Sequence, residues 1–180
     1  MRIPQERCLA LMIDVQDRLF PHVHEFQALA ERLGVLAEGL QIVGVPVVLT
    51  EQYRKGLGPT IKVLRDALPG IEPMEKASFS CCDDQEVMSV ITRAGRSYVV
   101  LAGIETHICL LQTAMDLIQR NYTPVLVADA VSSRTAFDRD VAIERVRSSG
   151  GVVTTVESLL FELCRVSGTE TFKQISKLVK

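Results

Sequence analysis

The amino-acid sequence predicts an α/β fold, namely a doubly wound, mainly parallel six-stranded sheet in the order 3-2-1-4-5-6 with helices on both faces. Two observations support this prediction. Short, nearly continuous apolar runs recur along the chain, and such runs are typical of strands that are buried on both sides. Stretches with apolar residues at helical spacing separate these runs, and strands that alternate with helices pair in parallel through crossover helices.

The predicted strands have clear starts at two places. Pro46 and Pro124 each stand where an apolar run begins, and a strand tolerates the missing N–H group there. The third strand has the weakest sequence pattern of the six, because it lies in a segment rich in glycine and proline. In chain order, the predicted strands cover residues 8–13, 45–49, 77–80, 98–102, 125–128 and 152–156.

The predicted helices follow from apolar residues at steps of three and four. In the first helix Leu29, Leu33, Leu36 and Leu40 share one face, which is the pattern of a helix that packs against a sheet. The segment 51–80 is expected to be a loop with one short helix. The predicted helices cover residues 26–43, 60–68, 83–94, 107–120 and 136–148, followed by one or two terminal helices within 157–180.

The composition is that of an ordinary globular protein. The 180 residues are enough for one substantial core, so a single domain over residues 1–180 is expected. Hydrophobic residues make up 47% and charged residues 23% of the chain, which argues against disorder. The formal net charge of −2 gives no basic field for nucleic acid or for an anionic membrane surface. A small molecule is therefore the expected binding partner.

The cysteines and the N-terminus indicate the compartment. Five cysteines form an odd set without a C-x-x-C pair, which favours a reducing compartment. The N-terminal apolar stretch is too short for a signal peptide, and no run approaches the roughly 20 apolar residues of a membrane span. We expect a soluble, cytoplasmic protein that does not contact a membrane.

Two polar residues follow neighbouring strands of the predicted sheet. Asp14 ends the first strand, and Cys109 follows the strand at 98–102. In the order 3-2-1-4-5-6 these strands lie side by side at the point where the strand order reverses, and ligands bind beyond the carboxyl ends of the strands at that point. The two residues are therefore expected to share one cleft.

Cys109 has the local setting of a nucleophile. Gly103 allows a sharp turn after the strand, and Thr106 is a good N-cap residue that would place Cys109 in the first turn of a helix. The free N–H groups and the dipole of a helix N-terminus favour the thiolate, which is the reactive form. The alternative is a cysteine that packs in the core as a small hydrophobic residue.

Asp14 and Lys76 are candidates for the groups that assist the thiol. A carboxylate at the end of a buried strand is partly desolvated, so Asp14 is a plausible general base; the alternative is an aspartate that caps the next turn. Lys76 precedes the predicted third strand, and by itself it is typical of a solvated surface charge. If Lys76 enters the cleft, its ammonium group would stabilise a thiolate and orient the base.

No cofactor or metal site is expected. His22 and His24 lie in a loop without a matching cluster of ligands, and the chain has no G-x-G-x-x-G, P-loop or H-E-x-x-H motif. His107 stands two residues before Cys109 and would point to a different face of the predicted helix, so it is not expected to be the base.

Taken together, these motifs resemble the isochorismatase-like cysteine hydrolases. The resemblance rests on Asp14 in I-D-V-Q, on Lys76 before the string S-F-S, and above all on Cys109 in A-G-I-E-T-H-I-C. It extends from residue 8 to about residue 163. The string T-E-Q-Y-R-K-G-L-G-P at 50–59 is similar to the isochorismatase domain-containing subgroup, whose physiological substrates are mostly unassigned.

The resemblance implies roles for particular residues. It implies that Asp14 is the general base and later the acid, that Lys76 is its cationic partner and that Cys109 is the nucleophile. It further implies a cis peptide bond between Ile104 and Glu105, an oxyanion hole formed by the backbone N–H groups of Glu105 and Cys109, and hydrolysis of an amide-like C–N bond through a thioester. It also suggests a homo-oligomer.

Two alternatives and a pocket prediction complete the expectations. Nicotinamidases of this family bind a metal through an aspartate and histidines after the second strand, where this chain has T-E-Q-Y at 50–53, so no such metal is expected. The chain could instead be a vinyl-ether hydrolase that uses Asp14 for acid catalysis, or a non-catalytic oligomeric binding protein. Closeness to strand ends suggests four residues as the substrate-binding lining: Gln16, Phe20, Gln52 and Tyr53.

Overall fold

The structure, a computed structural model, describes residues 2–180. Its centre is a six-stranded sheet in the order β3-β2-β1-β4-β5-β6, so the predicted order is confirmed. Every pair of neighbouring strands is parallel. In chain order the strands are Cys8–Ile13 (β1), Val47–Gln52 (β2), Met74–Lys76 (β3), Tyr98–Ile104 (β4), Thr123–Ser132 (β5) and Val152–Thr154 (β6).

The helices lie on both faces of the sheet, as predicted. The helices are Phe26–Ile42 (α1), Arg54–Leu57 (α2), Lys62–Ala67 (α3), Gln85–Ala94 (α4), Leu111–Gln119 (α5), Ala136–Ser148 (α6), Val156–Cys164 (α7) and Glu170–Leu178 (α8). Single tight turns of helix cover Gln5–Arg7, Phe20–His22 and Cys81–Asp83, and a wider helical turn covers Thr106–Leu110.

Two hydrophobic layers hold the sheet between the helices. Alternate residues of a strand point to opposite faces, so Ala10 and Met12 of β1 pack with α1, α3 and α7, whereas Leu9 and Leu11 pack with α4, α5 and α6. The whole of β1 is buried. Burial on both faces explains why the sequences of the central strands are continuous apolar runs.

Three element predictions need correction. The third strand is Met74–Lys76 rather than 77–80, because residues 50–52 of β2 pair with 74–76; Lys76 therefore ends the strand instead of preceding it. The segment 51–80 contains a second short helix, α2, which the sequence pattern did not reveal. The helix expected at 107–120 begins with the wide turn Thr106–Leu110, and its regular part starts only at Leu111.

The switch point of the sheet lies between β1 and β4. Residues 8–13 of β1 pair with 98–103 of β4, so the two chains leave the sheet side by side. At the end of this pairing, Gly103 has a φ of +120°, and a Cβ atom there would lie 2.2 Å from the carbonyl oxygen of Ile13. Only glycine allows β4 to approach β1 this closely before the chain turns toward Cys109.

Within residues 2–180, no helix combines the length and the apolar character needed to cross a membrane.

Candidate active site

The ends of three parallel strands bring together the three residues that the sequence singled out. Asp14 follows β1, Lys76 ends β3, and Cys109 lies in the turn after β4. The Nζ atom of Lys76 donates a hydrogen bond to Oδ2 of Asp14 at 2.6 Å, and both side chains are almost completely buried. Lys76 is therefore an interior cation and not a solvated surface charge.

Asp14 is held on both sides by strand ends. Its backbone adopts a left-handed conformation with φ of 54°, and its N–H group donates to the carbonyl oxygen of Thr50. The Thr50 hydroxyl donates to Oδ1 of Asp14 at 2.7 Å, while Lys76 occupies Oδ2. The carboxylate thus binds β2 and β3 side chains. It does not cap a turn, which was the alternative reading of its sequence position.

Lys76 stays charged in this buried position. Burial is the largest single influence on the pKa of Lys76 and lowers it, but the charge of Asp14, the neighbouring Cys109 and Cys81 and the hydrogen bond to Asp14 together outweigh burial, so the pKa is raised above its usual value. The ammonium group also donates to the backbone oxygens of Ser78 and Phe79 and to Oε1 of Gln52. All these contacts orient it toward Asp14.

The thiol of Cys109 is buried and protonated at rest. Burial raises the pKa of Cys109 well above its usual value, the charge of Asp14 raises it further, and Lys76 offsets only part of this. The Sγ atom donates to Oε1 of Gln52 at 3.3 Å. The expectation of a resting thiolate is therefore wrong, because burial and a neighbouring carboxylate outweigh the helix N-terminus. For Cys109 to act as a nucleophile, a base would have to remove this proton.

The turn that carries Cys109 also differs from the predicted one. Thr106 does not act as an N-cap: it is the first residue of the wide turn, and its buried hydroxyl has no hydrogen-bond partner among the described residues. The carbonyl oxygen of Glu105 instead accepts from the N–H groups of Ile108 and Leu110. Cys109 is thus in a first turn, as expected, but with a different geometry.

Glu105 anchors the start of this turn. The peptide bond between Ile104 and Glu105 is cis, as the resemblance implies. Oε2 of Glu105 accepts hydrogen bonds from the backbone N–H of Arg134 at 3.2 Å and from its Nε at 3.0 Å. The turn is therefore tied to the segment that follows β5.

His107 and the other histidines take no part in this arrangement. Nδ1 of His107 lies 2.9 Å from the hydroxyl of Ser133, on the side of the segment after β5, so it does not form a pair with Cys109. Among residues 2–180, no group of three or more His, Cys, Asp or Glu side chains is placed to hold a metal ion.

A cavity of about 200 Å³ opens beside the thiol. Its walls combine four polar side chains with four apolar ones. The apolar residues were not predicted, because they come from loops and turns that fold over the strand ends. The residues that line the cavity are Asp14, Leu19, Gln52, Leu57, Phe79, Glu105, Ile108 and Cys109.

Of the four residues predicted as substrate-binding, only Gln52 lines this cavity. Gln16 is completely buried, and its amide is bound to the backbone of Gln52 and Gly58. Phe20 is buried in the core, edge-on to Phe26. Tyr53 is 60% exposed and lies outside the cavity lining. Gln16, Phe20 and Tyr53 therefore do not line this cavity, because closeness to a strand end does not fix the direction of a side chain.

Comparison with known proteins shows which family model and which relatives this chain is similar to. The family model described as "Isochorismatase domain" matches residues 8–158. The chain is 37% identical over 183 residues to the secreted isochorismatase effector Isc1 of Phytophthora sojae, covering 99% of the chain and 86% of the relative. It is 36% identical over 179 residues to isochorismatase domain-containing protein 2A of Mus musculus, covering 99% and 85%.

A solved structure has the same architecture. The MAR1 ribonuclease of Caenorhabditis elegans superposes with a TM-score of 0.93 at 31% identity, covering 99% of the chain and 92% of the nematode protein. The similarity therefore extends over the whole sheet and both helical layers.

Proposed function

The chain belongs to the isochorismatase family, and from this premise we propose that it is a cysteine-dependent hydrolase that cleaves the C–N bond of a small, uncharged amide. The observation that carries the proposal is the convergence of Asp14, Lys76 and Cys109 beside one small cavity. A base, a cation and a buried thiol in contact are the groups needed for nucleophilic attack on a carbonyl.

The proposed reaction begins with proton transfer. Asp14 accepts the thiol proton of Cys109, and Sγ attacks the carbonyl carbon of the substrate. The C–N bond then breaks while the proton on Asp14 passes to the leaving nitrogen, which departs as ammonia or an amine. Water, deprotonated by Asp14, hydrolyses the thioester, which releases the carboxylic acid and restores the thiol.

Lys76 and the turn at 105–109 assist this sequence in the proposal. The Lys76 ammonium, fixed 2.6 Å from Asp14, stabilises the thiolate as it forms and keeps the carboxylate oriented. The backbone N–H groups of Glu105 and Cys109 are the proposed donors to the carbonyl oxygen as it gains negative charge.

The cavity restricts the proposed substrate class. Its volume of about 200 Å³ lies below the roughly 300–1,000 Å³ of pockets for drug-sized ligands. The walls from Leu19, Leu57, Phe79 and Ile108 are apolar, which favours a short aliphatic or small aromatic acyl group. Among residues 2–180 no lysine or arginine lines the cavity, and the Lys76 ammonium behind the wall is already bound to Asp14, so a substrate with a free carboxylate would find no unpaired cation in the cavity wall.

The charge of the cavity also weighs against the alternatives. Isochorismate carries two carboxylates, whereas the two carboxylates of the cavity wall are already paired with Lys76 and Arg134 and no unpaired cation of the described residues lines the cavity; vinyl-ether hydrolysis is therefore the less favoured candidate. A phosphodiester would lack an unpaired cation for the same reason, so the ribonuclease activity named for the nematode relative is not favoured here. A non-catalytic binding protein would have no need of a buried Asp14–Lys76 pair next to a thiol.

The test is turnover of a panel of small metabolites, followed by mass spectrometry. The panel contains short aliphatic and small aromatic amides, their esters and isochorismate. We expect wild type and a Cys164→Ala control, which removes the half-buried thiol of α7, to hydrolyse neutral amides. Cys109→Ala is expected to lose about 10³-fold or more of this activity.

Full amide turnover by Cys109→Ala would refute the proposal, whereas isochorismate turnover that survives the substitution would support the vinyl-ether alternative. Failure of the whole panel together with a stable protein partner would support the binding protein.

A further inference from the structure

The side-chain amide of Gln52 has a fixed orientation in the cavity wall. Its Nε2 donates to the carbonyl oxygen of Ala77 at 3.2 Å, and its Oε1 accepts from Nζ of Lys76 at 3.3 Å. Rotating the amide by half a turn would place its NH₂ group against the Lys76 ammonium and its oxygen against a carbonyl oxygen. The oxygen of Gln52 therefore faces the reacting groups.

The backbone of Gln52 is held as firmly as its side chain. The buried amide of Gln16 accepts from the N–H group of Gln52 at 2.8 Å and donates to its carbonyl oxygen at 3.0 Å. A second bond from the same NH₂ group reaches the carbonyl oxygen of Gly58 at 2.7 Å. The end of β2 is thus locked in place by a side chain that has no exposed surface.

The same oxygen is bound to the proposed nucleophile at rest. Oε1 of Gln52 accepts from Sγ of Cys109 at 3.3 Å as well as from Lys76. An amide oxygen has two lone pairs, so these two donors occupy it fully. Once the thiol proton moves to Asp14, one lone pair of Gln52 becomes free at the moment when the substrate carbonyl is attacked.

We propose that Gln52 is the residue that selects amides over esters, because its Oε1 accepts a hydrogen bond from the N–H group of the scissile amide once the thiol has given up its proton. This inference rests on the proposed amide hydrolysis and adds a specificity determinant to it. Gln52 takes no proton itself. It holds the leaving nitrogen beside Asp14, which supplies the proton for departure.

The chemistry of the two substrate classes makes the selection possible. A primary or secondary amide has an N–H donor at the leaving atom, whereas the leaving oxygen of an ester has none. An ester would offer no donor to the freed lone pair of Gln52, and a site built to bind an N–H group discriminates against analogues that lack it.

The test compares a primary amide and the methyl ester of one short, branched acyl group. For Gln52→Leu, kcat/KM for the amide is expected to fall about 10- to 100-fold more than kcat/KM for the ester. Gln112→Leu, a change of the same type at an exposed position on α5, should leave the ratio of amide to ester rates within about threefold of wild type. An equal fall for both substrates in Gln52→Leu would mean that Gln52 only orders Lys76 and Cys109, and it would overturn the inference.

A second variant retains the acceptor. Gln52→Glu keeps an oxygen toward the substrate but adds a negative charge next to Cys109, so the rates for both substrates should fall while their ratio stays within about threefold of wild type. Loss of amide preference in Gln52→Glu as well as in Gln52→Leu would contradict the role of the oxygen.

If wild type hydrolyses neither substrate, or if Cys109→Ala hydrolyses both, the proposed function fails together with this inference. Cys109-dependent turnover with an unchanged ratio in Gln52→Leu refutes the inference alone.

Discussion

At the scale of single residues, Asp14 has two opposite effects on Cys109. Its charge helps to keep the thiol protonated, since it raises the pKa of Cys109 beyond what burial does. In the proposed reaction the same carboxylate removes the thiol proton. Reactivity of the thiol and catalysis should therefore respond in opposite directions when Asp14 loses its charge.

Asp14→Asn provides this test. Removal of the carboxylate charge lowers the pKa of Cys109, so more thiolate exists at about pH 7–8 and alkylation by iodoacetamide should be faster than in wild type. Hydrolysis should nevertheless fall by about 10²–10⁴-fold, because the base and acid are gone. Peptide mass spectrometry measures the alkylation rate, with Cys164 in the same chain as the internal control. Slower alkylation of Cys109 or unchanged hydrolysis would contradict this account.

The three side chains that meet at the strand ends could be singled out from the sequence, but the cavity around them could not. Asp14 and Cys109 could be placed together because parallel strands deliver their carboxyl ends to one edge of the sheet. Leu57 and Phe79 could not be placed, because the loop of α2 and the turn after β3 set their positions through long-range contacts. The resting protonation state of Cys109 was also beyond the sequence, since it depends on how deeply the turn is buried.

At the scale of elements, the junction of β1 and β4 positions the site. Gly103 pairs with Ile13, and a Cβ atom at Gly103 would overlap the backbone of Ile13, with its oxygen at 2.2 Å and its nitrogen at 2.8 Å. Backbone atoms cannot move aside as a flexible side chain can. The strands would have to separate at the point where they present Asp14 and Cys109.

Gly103→Ala should therefore destabilise the fold strongly. We expect a loss of about 2–5 kcal/mol in the free energy of unfolding, since both the overlap and the φ of +120° oppose a side chain. Gly95→Ala is the matched control: Gly95 also has a positive φ, of +62°, but a Cβ atom there meets nothing within 4 Å, so about 1–2 kcal/mol should be lost. Urea denaturation at equilibrium measures both. Equal losses of unfolding free energy in Gly103→Ala and Gly95→Ala would show that the close approach of β4 to β1 does not add to the cost of a side chain at Gly103.

The elements were predictable to the extent that burial determined their pattern. The apolar runs of β1, β4 and β5 located these strands, because both of their faces are covered by helices. The strand β3 has three residues with mixed burial, so pairing with β2 determines it and no apolar pattern marks it. The wide turn Thr106–Leu110 has the same apolar spacing as the start of an ordinary helix, which is why its geometry was missed.

At the scale of the whole molecule, the topology explains why Asp14 and Cys109 lie next to each other. The chain crosses from β1 outward to β3 and then returns to β4 beside β1, which leaves a cleft between β1 and β4 beyond their carboxyl ends.

Formation of a homo-oligomer stays a prediction. Two large apolar side chains on one helix are open to a second copy of the chain: Phe137 on α6 is 77% exposed, and Val141, one turn later, is 46% exposed. Light scattering at several protein concentrations measures the mass of the particle in solution, and a purely monomeric mass would refute the prediction.

The central claim is that Cys109 carries the acyl group of the substrate during turnover, and the most direct measurement is the mass of the enzyme after rapid acid quench during hydrolysis of a small neutral amide or ester. We expect a species that is heavier by the acyl group, with the added mass on the peptide that contains Cys109 and absent from Cys109→Ala. Turnover without any acyl adduct on that peptide, and with undiminished rate in Cys109→Ala, would contradict the account.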